Sequence, residues 1–211
     1  MIIDTNKMEI VDMGSALRSN RFIRNMISRI ILNYYNVRGS VSMVEIDPFD
    51  VQFKMPRWRE MFWDHRPGEV IGGVWDRSAT PLEESDLYIG FREHINDEVP
   101  WVETTYYQRI VRELNKGTWH GASTEEEVLK QLSNYDHLYN MIRKEGYKSQ
   151  RTLLAEGNHQ RFKPPELCEV LVNVDRNGDW ILDDGRHRFV IARLLNIRTI
   201  PVCILARHKN Q

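Results

Sequence analysis

The chain has 211 residues, 41% of them hydrophobic and 28% charged, with a formal net charge of −1. That length suits one domain with a large insertion, and the near-neutral balance excludes bulk attraction to nucleic acid or an anionic membrane. The two cysteines, Cys168 and Cys203, are too few and too far apart for a disulfide framework, which points to a reducing cytoplasm. The opening Met1-Ile-Ile-Asp-Thr lacks the pattern of a secretion signal, and no stretch approaches the length of a membrane span.

The first strong element runs from about Ala16 to Tyr35. Phe22, Ile23, Met26, Ile27, Ile30, Ile31 and Tyr34 form an apolar stripe, with Ser15 as a start signal and Gly39 as a stop. Five arginines and no acid lie between Gly14 and Ser40. Such a helix either docks on a core with its arginines solvated or lies against a membrane or nucleic acid. Ser42 to Asp50 then reads as the first strand.

From Pro56 to about Gly121 the chain is rich in aromatics, among them Trp58, Trp63, Trp75, Trp101, Tyr106, Tyr107 and Trp119. Val70 to Asp76 reads as a strand entering a turn, and Leu87–Ile95 and Val102–Leu114 as helices. The aromatics alternate mostly with acids, which favours packing over a stacking platform for single-stranded nucleic acid. Gly72-Gly73-x-Trp75-Asp76 keeps open a place for a base or ribose. Ser123 and Thr124 before Glu125-Glu126-Glu127 start a helix that continues to Glu145, with a break near Asn134, and stops at Gly146. Residues 155–165 form a polar loop carrying His159, Arg161 and Lys163.

The C-terminal segment is the most legible. Glu169–Asp175 alternates as a strand, Asn177-Gly178 suits a type I′ turn, and Trp180–Leu182 returns as a second strand. Asp184 is a candidate cap for a helix marked by Val190, Ile191, Leu194 and Leu195. Asn196 suits a left-handed stop, and Thr199–Leu205 reads as a buried strand. The start of that helix is a candidate anion site, because its first turn carries unpaired N–H groups and the positive end of the dipole. Gly185 leaves the backbone approachable, Arg186 and Arg188 supply guanidinium forks, and His187 supplies a donor. Asp183 and Asp184 are candidate ligands for a magnesium ion bridging phosphates. The alternative is a capped helix whose arginines pair with the two aspartates. No His-x-x-x-His pair, zinc-finger spacing, Walker lysine loop or contiguous nucleophile set is present.

Ile181-Leu-Asp-Asp-Gly-Arg-His-Arg188, followed by Ala192, Leu195 and Ile200-Pro-Val202, resembles the ParB/sulfiredoxin superfamily, whose Gly-x-x-Arg turn opens a helix. Leu138 to Gln150 is similar to that family's helix, glycine and following strand. The layout is also similar to that of archaeal ParB-like proteins. The resemblance implies an α/β, or mixed α+β, core over residues 41–211, interrupted by a helical, aromatic-rich insertion at about 56–121, with residues 1–40 as a helical extension. It implies nucleotide binding, ATP or CTP with Mg2+, at Gly185, Arg186, His187 and Arg188. Asp183, Asp184 and His187 would be the catalytic groups of a kinase or nucleoside triphosphatase. A non-catalytic adaptor, nucleotide-responsive or DNA-associated, with a protein partner or a homodimer, is the other function it implies. Arg186 stands where sulfiredoxin has its cysteine, which argues against sulfinic-acid reduction. No helix-turn-helix follows the last strand in this sequence, and sequence-specific DNA binding is not expected.

Overall fold

The computed structural model describes residues 41–56, 68–157 and 165–211. The expected N-terminal helix and most of the polar loop at 155–165 lie outside the described residues.

The last strand organises the sheet. β7 (Ile200–His208) reads Ile-Pro-Val-Cys-Ile-Leu-Ala-Arg-His, and Ile200, Val202, Cys203, Ile204 and Ala206 are all fully buried. A near-continuous apolar run of this kind suits a strand flanked on both sides. One side pairs in parallel with β5 (Val170–Val174). The other pairs antiparallel with β1 (Ser42–Ile46) and, further along, in parallel with β3 (Glu69–Ile71). β5 leads by a hairpin into β6 (Trp180–Asp184), beyond which lie β2 (Phe53–Lys54) and β4 (Thr80–Pro81). The result is a mixed seven-stranded sheet of order β1-β7-β5-β6-β2-β4, with β3 also on β7.

Five α-helices are described: α1 (Asp86–Asn96), α2 (Thr105–Leu114), α3 (Glu125–Glu145), α4 (Gln150–Ala155) and α5 (Arg186–Leu194). Ser85, Thr104, Thr124 and Ser149 cap the first four, each side chain accepting from the backbone N–H three residues on. The main core joins one face of the sheet to α1, α2, α3 and α5 through Phe91, Tyr106, Leu132, Val172, Ile191 and Ile204. A smaller cluster of Met55, Trp75 and Ile181 lies apart from it. The aromatic segment adds strands β3 and β4 to the one sheet and helices α1 and α2 to the one core, so it is built into the same packing. Gly90 of α1 shows how closely: a Cβ there would stand 2.3 Å from Tyr106 Cβ. None of the described helices is long and apolar enough to cross a membrane.

Several local expectations change. Helix α3 has no break at Asn134, an exposed site where asparagine costs only its modest propensity. Tyr147–Gln150 is not a strand; Ser149 Oγ accepts from Thr152 N at 3.0 Å and starts α4 instead. The hairpin turn is not type I′, because only Gly178 takes a positive φ, +90°. Asp175 Oδ1 accepts from Asn177 N at 2.7 Å and from Asp179 N at 2.9 Å, which favours an ordinary turn closed by a glycine bulge. Asn196 does take the left-handed conformation, with φ +54°. Its N–H donates to Arg193 O and that of Ile197 to Ala192 O, the bond pair that closes a helix end.

Candidate functional site

The junction of β6 and α5 holds the residues singled out from sequence. Val172 faces Leu182 and Leu171 faces Asp184, so Asp183 is an extra residue in a β-bulge. Gly185 follows at φ +73° and forms the helix N-cap without any side-chain cap. A Cβ at Gly185 would meet Val170 Cα at 2.9 Å and Val170 Cγ2 at 3.2 Å. The glycine therefore serves β5 packing and a left-handed backbone, which corrects the expectation that it holds space open for a ligand. Asp184 is exposed and accepts from its neighbour Gly185 N at 2.7 Å, so it does not cap the first turn of α5.

Both guanidinium forks are engaged within the protein. Arg186 donates from Nε to Asp183 O at 2.7 Å and from Nη2 to Met55 O at 2.9 Å, tying α5 to the end of β2. Arg188 donates from Nη2 to Cys168 O, and its Nη1 stands 3.6 Å from Glu169 Oε2. His187 turns into the aromatic cluster. Its ring stacks on Tyr135 at 4.1 Å between centroids, and its Nε2 lies 2.9 Å from Tyr106 Oη. Burial, aided by nearby cations, pushes His187 down to about 3. Its neutral form is therefore favoured near pH 7, with Nε2 taken up by Tyr106 Oη.

The two carboxylates are not a matched pair. Asp183 is buried and accepts from Asn173 Nδ2 at 2.8 Å, whereas Asp184 is exposed. Burial raises Asp183 to about 7, against the pull of the Asn173 bond and the Arg186 charge. Asn173 Oδ1 has no hydrogen-bond partner, and a protonated Asp183 carries an O–H able to supply one. Among the described residues no group of three or more His, Cys, Asp or Glu could hold a metal ion. Of the two aspartates expected to face a magnesium ion bridging phosphates, only Asp184 is exposed.

Sequence reasoning missed a polar cluster beside Arg188. Tyr147 Oη, Glu166 Oε2, Glu169 Oε2 and Arg188 Nη1 are buried with no hydrogen-bond partner. Glu169 Oε1 accepts from Gln150 N at 2.5 Å, and burial raises this carboxyl to about 7. Burial also raises Tyr147 to about 12, so its phenol is neutral. The alternation that marked Glu169 as a strand residue carries no signal for this role, because the cluster joins the α3–α4 connection to the starts of β5 and α5.

The Gly72–Asp76 segment is likewise occupied by the protein itself. Asp76 receives Arg176 Nε and Nη2, both at 2.6 Å, a fork that holds its carboxyl down at about 2. Gly73 O lies 3.1 Å from Arg176 Nη2 and 3.1 Å from His208 Nε2. These bonds take up the groups expected to hold a base or ribose.

No family model and no solved structure matches this chain. Among curated proteins it is similar to a 1H-3-hydroxy-4-oxoquinoline 2,4-dioxygenase from Pseudomonas putida, with 25% identity over 115 residues. The matched segment is 52% of this chain and 42% of that enzyme, so the chain spans less than half of the relative's length. That likeness does not assign this chain to the enzyme's family.

Proposed function

We propose that this chain is a ParB/sulfiredoxin-like protein that binds the phosphate chain of a nucleotide, such as ATP or CTP, at the start of α5. One observation carries the reading: beside the uncapped N-terminus of α5 four buried polar atoms lack hydrogen-bond partners, two of which, Arg188 Nη1 and Glu169 Oε2, face each other at 3.6 Å. Buried polar groups are satisfied in the great majority of cases, so four orphans together favour a missing polar ligand. Free N–H groups of a first helical turn favour an anion. Arg188 Nη1 and Tyr147 Oη are donors suited to phosphate oxygens, and Glu166 and Glu169 are acceptors suited to ligand hydroxyls.

Binding without turnover is favoured by the engagement of His187 with Tyr106 and of both arginines with backbone carbonyls. Phosphoryl transfer is the second reading, favoured by Glu169, a buried carboxyl raised to about 7 and therefore placed to exchange a proton near neutrality. The test is a thermal-shift series with ATP, CTP, GTP and UTP, and the corresponding di- and monophosphates, with and without magnesium. A nucleotide at 100 times its Kd stabilises by about 2.7 kcal/mol, which for a chain of this size raises Tm by roughly 5–10 °C. Triphosphates are expected to act most strongly, and Arg188→Gln to weaken the response at least tenfold. A wild-type protein indifferent to every nucleotide overturns the reading.

A further inference from the structure

A second site lies between α1 and α3, and it does not depend on the nucleotide reading. The cavity there has a volume of about 240 Å³ and a lining of Trp101, Tyr135 and Tyr139, with the fully buried Phe91 behind them. Pockets for drug-sized ligands run from roughly 300 to 1,000 Å³, so this one suits a single- or double-ring molecule and is too small for a whole nucleotide. The wall is braced from behind, since Tyr135 stacks on His187 and Phe91 lies edge-on to Trp101 at 5.1 Å between centroids.

The polar groups of the cavity differ in how far the protein engages them. Asp136 Oδ1 accepts from Trp101 Nε1 at 2.9 Å and lies 3.0 Å from His94 Nε2. The other nitrogen of His94 faces Val99 O at 2.7 Å, while its ring stacks on Trp101 at 4.0 Å. Asp136 Oδ1 thus takes its partners from the protein, while the side chain as a whole stays 40% exposed. Arg143 is exposed at the rim and enters no ion pair among the described residues, and Asn140 lies one turn before it on α3. Arg143 therefore sets a cation beside an amide at the opening.

We propose that this cavity binds a small planar aromatic anion, a one- or two-ring carboxylate. Its ring would lie against the aromatic wall and its carboxylate toward Arg143 and Asn140. A guanidinium takes such a carboxylate by two parallel bonds, and an offset ring contact adds to area burial alone.

Ligand-detected saturation-transfer NMR on the whole chain tests this with four probes: benzoate, indole-3-carboxylate, cyclohexanecarboxylate and phenethylammonium. Indole-3-carboxylate is expected to bind saturably, cyclohexanecarboxylate at least tenfold more weakly, and phenethylammonium not at all. Arg143→Glu, at an exposed position, should keep the wild-type near-UV circular dichroism and weaken indole-3-carboxylate at least tenfold. Arg143→Gln should weaken it to a smaller degree and serves should the glutamate disturb folding. ATP should leave the bound acid in place. The proposal is overturned if no acid binds saturably, or if both Arg143 variants bind the acid as wild type does. Tighter binding of phenethylammonium overturns it as well, by showing that Asp136 sets the polarity, and displacement by ATP overturns the claim of a separate site. Apart from displacement by ATP, none of these outcomes bears on whether nucleotides bind at α5.

Discussion

Substitution of Gly185 separates two reasons for a glycine at the start of α5. The residue has φ +73°, and an added Cβ would stand 2.9 Å from Val170 Cα, a backbone atom held in the sheet by β7. A left-handed conformation costs an L-residue about 1–2 kcal/mol. Forcing a methyl group against packed neighbours costs about 1–3 kcal/mol more. Gly185→Ala is therefore expected to lose roughly 2–5 kcal/mol, a large part of a typical domain's stability. Gly178 provides the control, with φ +90° and nothing within 4 Å of its missing Cβ, so Gly178→Ala carries only the first cost. Equilibrium urea unfolding reads both. With a slope of about 2 kcal/mol per molar, the midpoint should fall by about 1–2.5 M for Gly185→Ala and by about 0.5–1 M for Gly178→Ala. Equal midpoints for the two variants would refute the claim that Val170 fills the space beside Gly185. The same contact means that a bulkier residue at Gly185 disrupts the fold whether or not a ligand binds, so Arg188 is the sounder position for testing the phosphate site.

Two predictions concern protonation. Asp183 has its folded pKa raised to about 7 from an ordinary 3.8, so its contribution to stability is complete below about pH 4 and is lost as pH rises to about 7. Asp183→Asn should flatten the stability profile between pH 4 and 7 and be more stable than wild type at pH 8 by on the order of a few kcal/mol, as followed by urea unfolding; parallel wild-type and variant profiles contradict this. His187, with its folded pKa lowered to about 3, should show no protonation between pH 8 and pH 4 in nitrogen-15 imidazole spectra. A titration near pH 6 at that ring would place it outside the aromatic cluster.

Much of the local structure was legible because it is fixed by neighbours in the chain. The Asn196 stop needs only a residue that tolerates positive φ, and the Thr124 cap needs only a hydroxyl three residues before a free N–H. Apolar alternation located β5, β6 and β7 to within a few residues. The type I′ expectation failed on a neighbour that the dipeptide rule ignores, the Asp175 carboxylate. The strand expected after Gly146 failed because Ser149 caps a helix there.

The candidate site divides along the same line. The sequence by itself determined that a glycine and two arginines stand at the start of a helix after a strand, since spacing and turn chemistry are local. Only the tertiary structure decided what those groups meet. Val170 fills the space beside Gly185, the carbonyls of Met55 and Cys168 take the arginine forks, and Tyr106 and Tyr135 enclose His187. These partners lie between 15 and 131 residues away along the chain, as Gly185 to Val170 and Arg186 to Met55 show. No periodicity extends over such separations, because folding, and not sequence spacing, brings the groups within hydrogen-bonding range and removes the water that would otherwise solvate them.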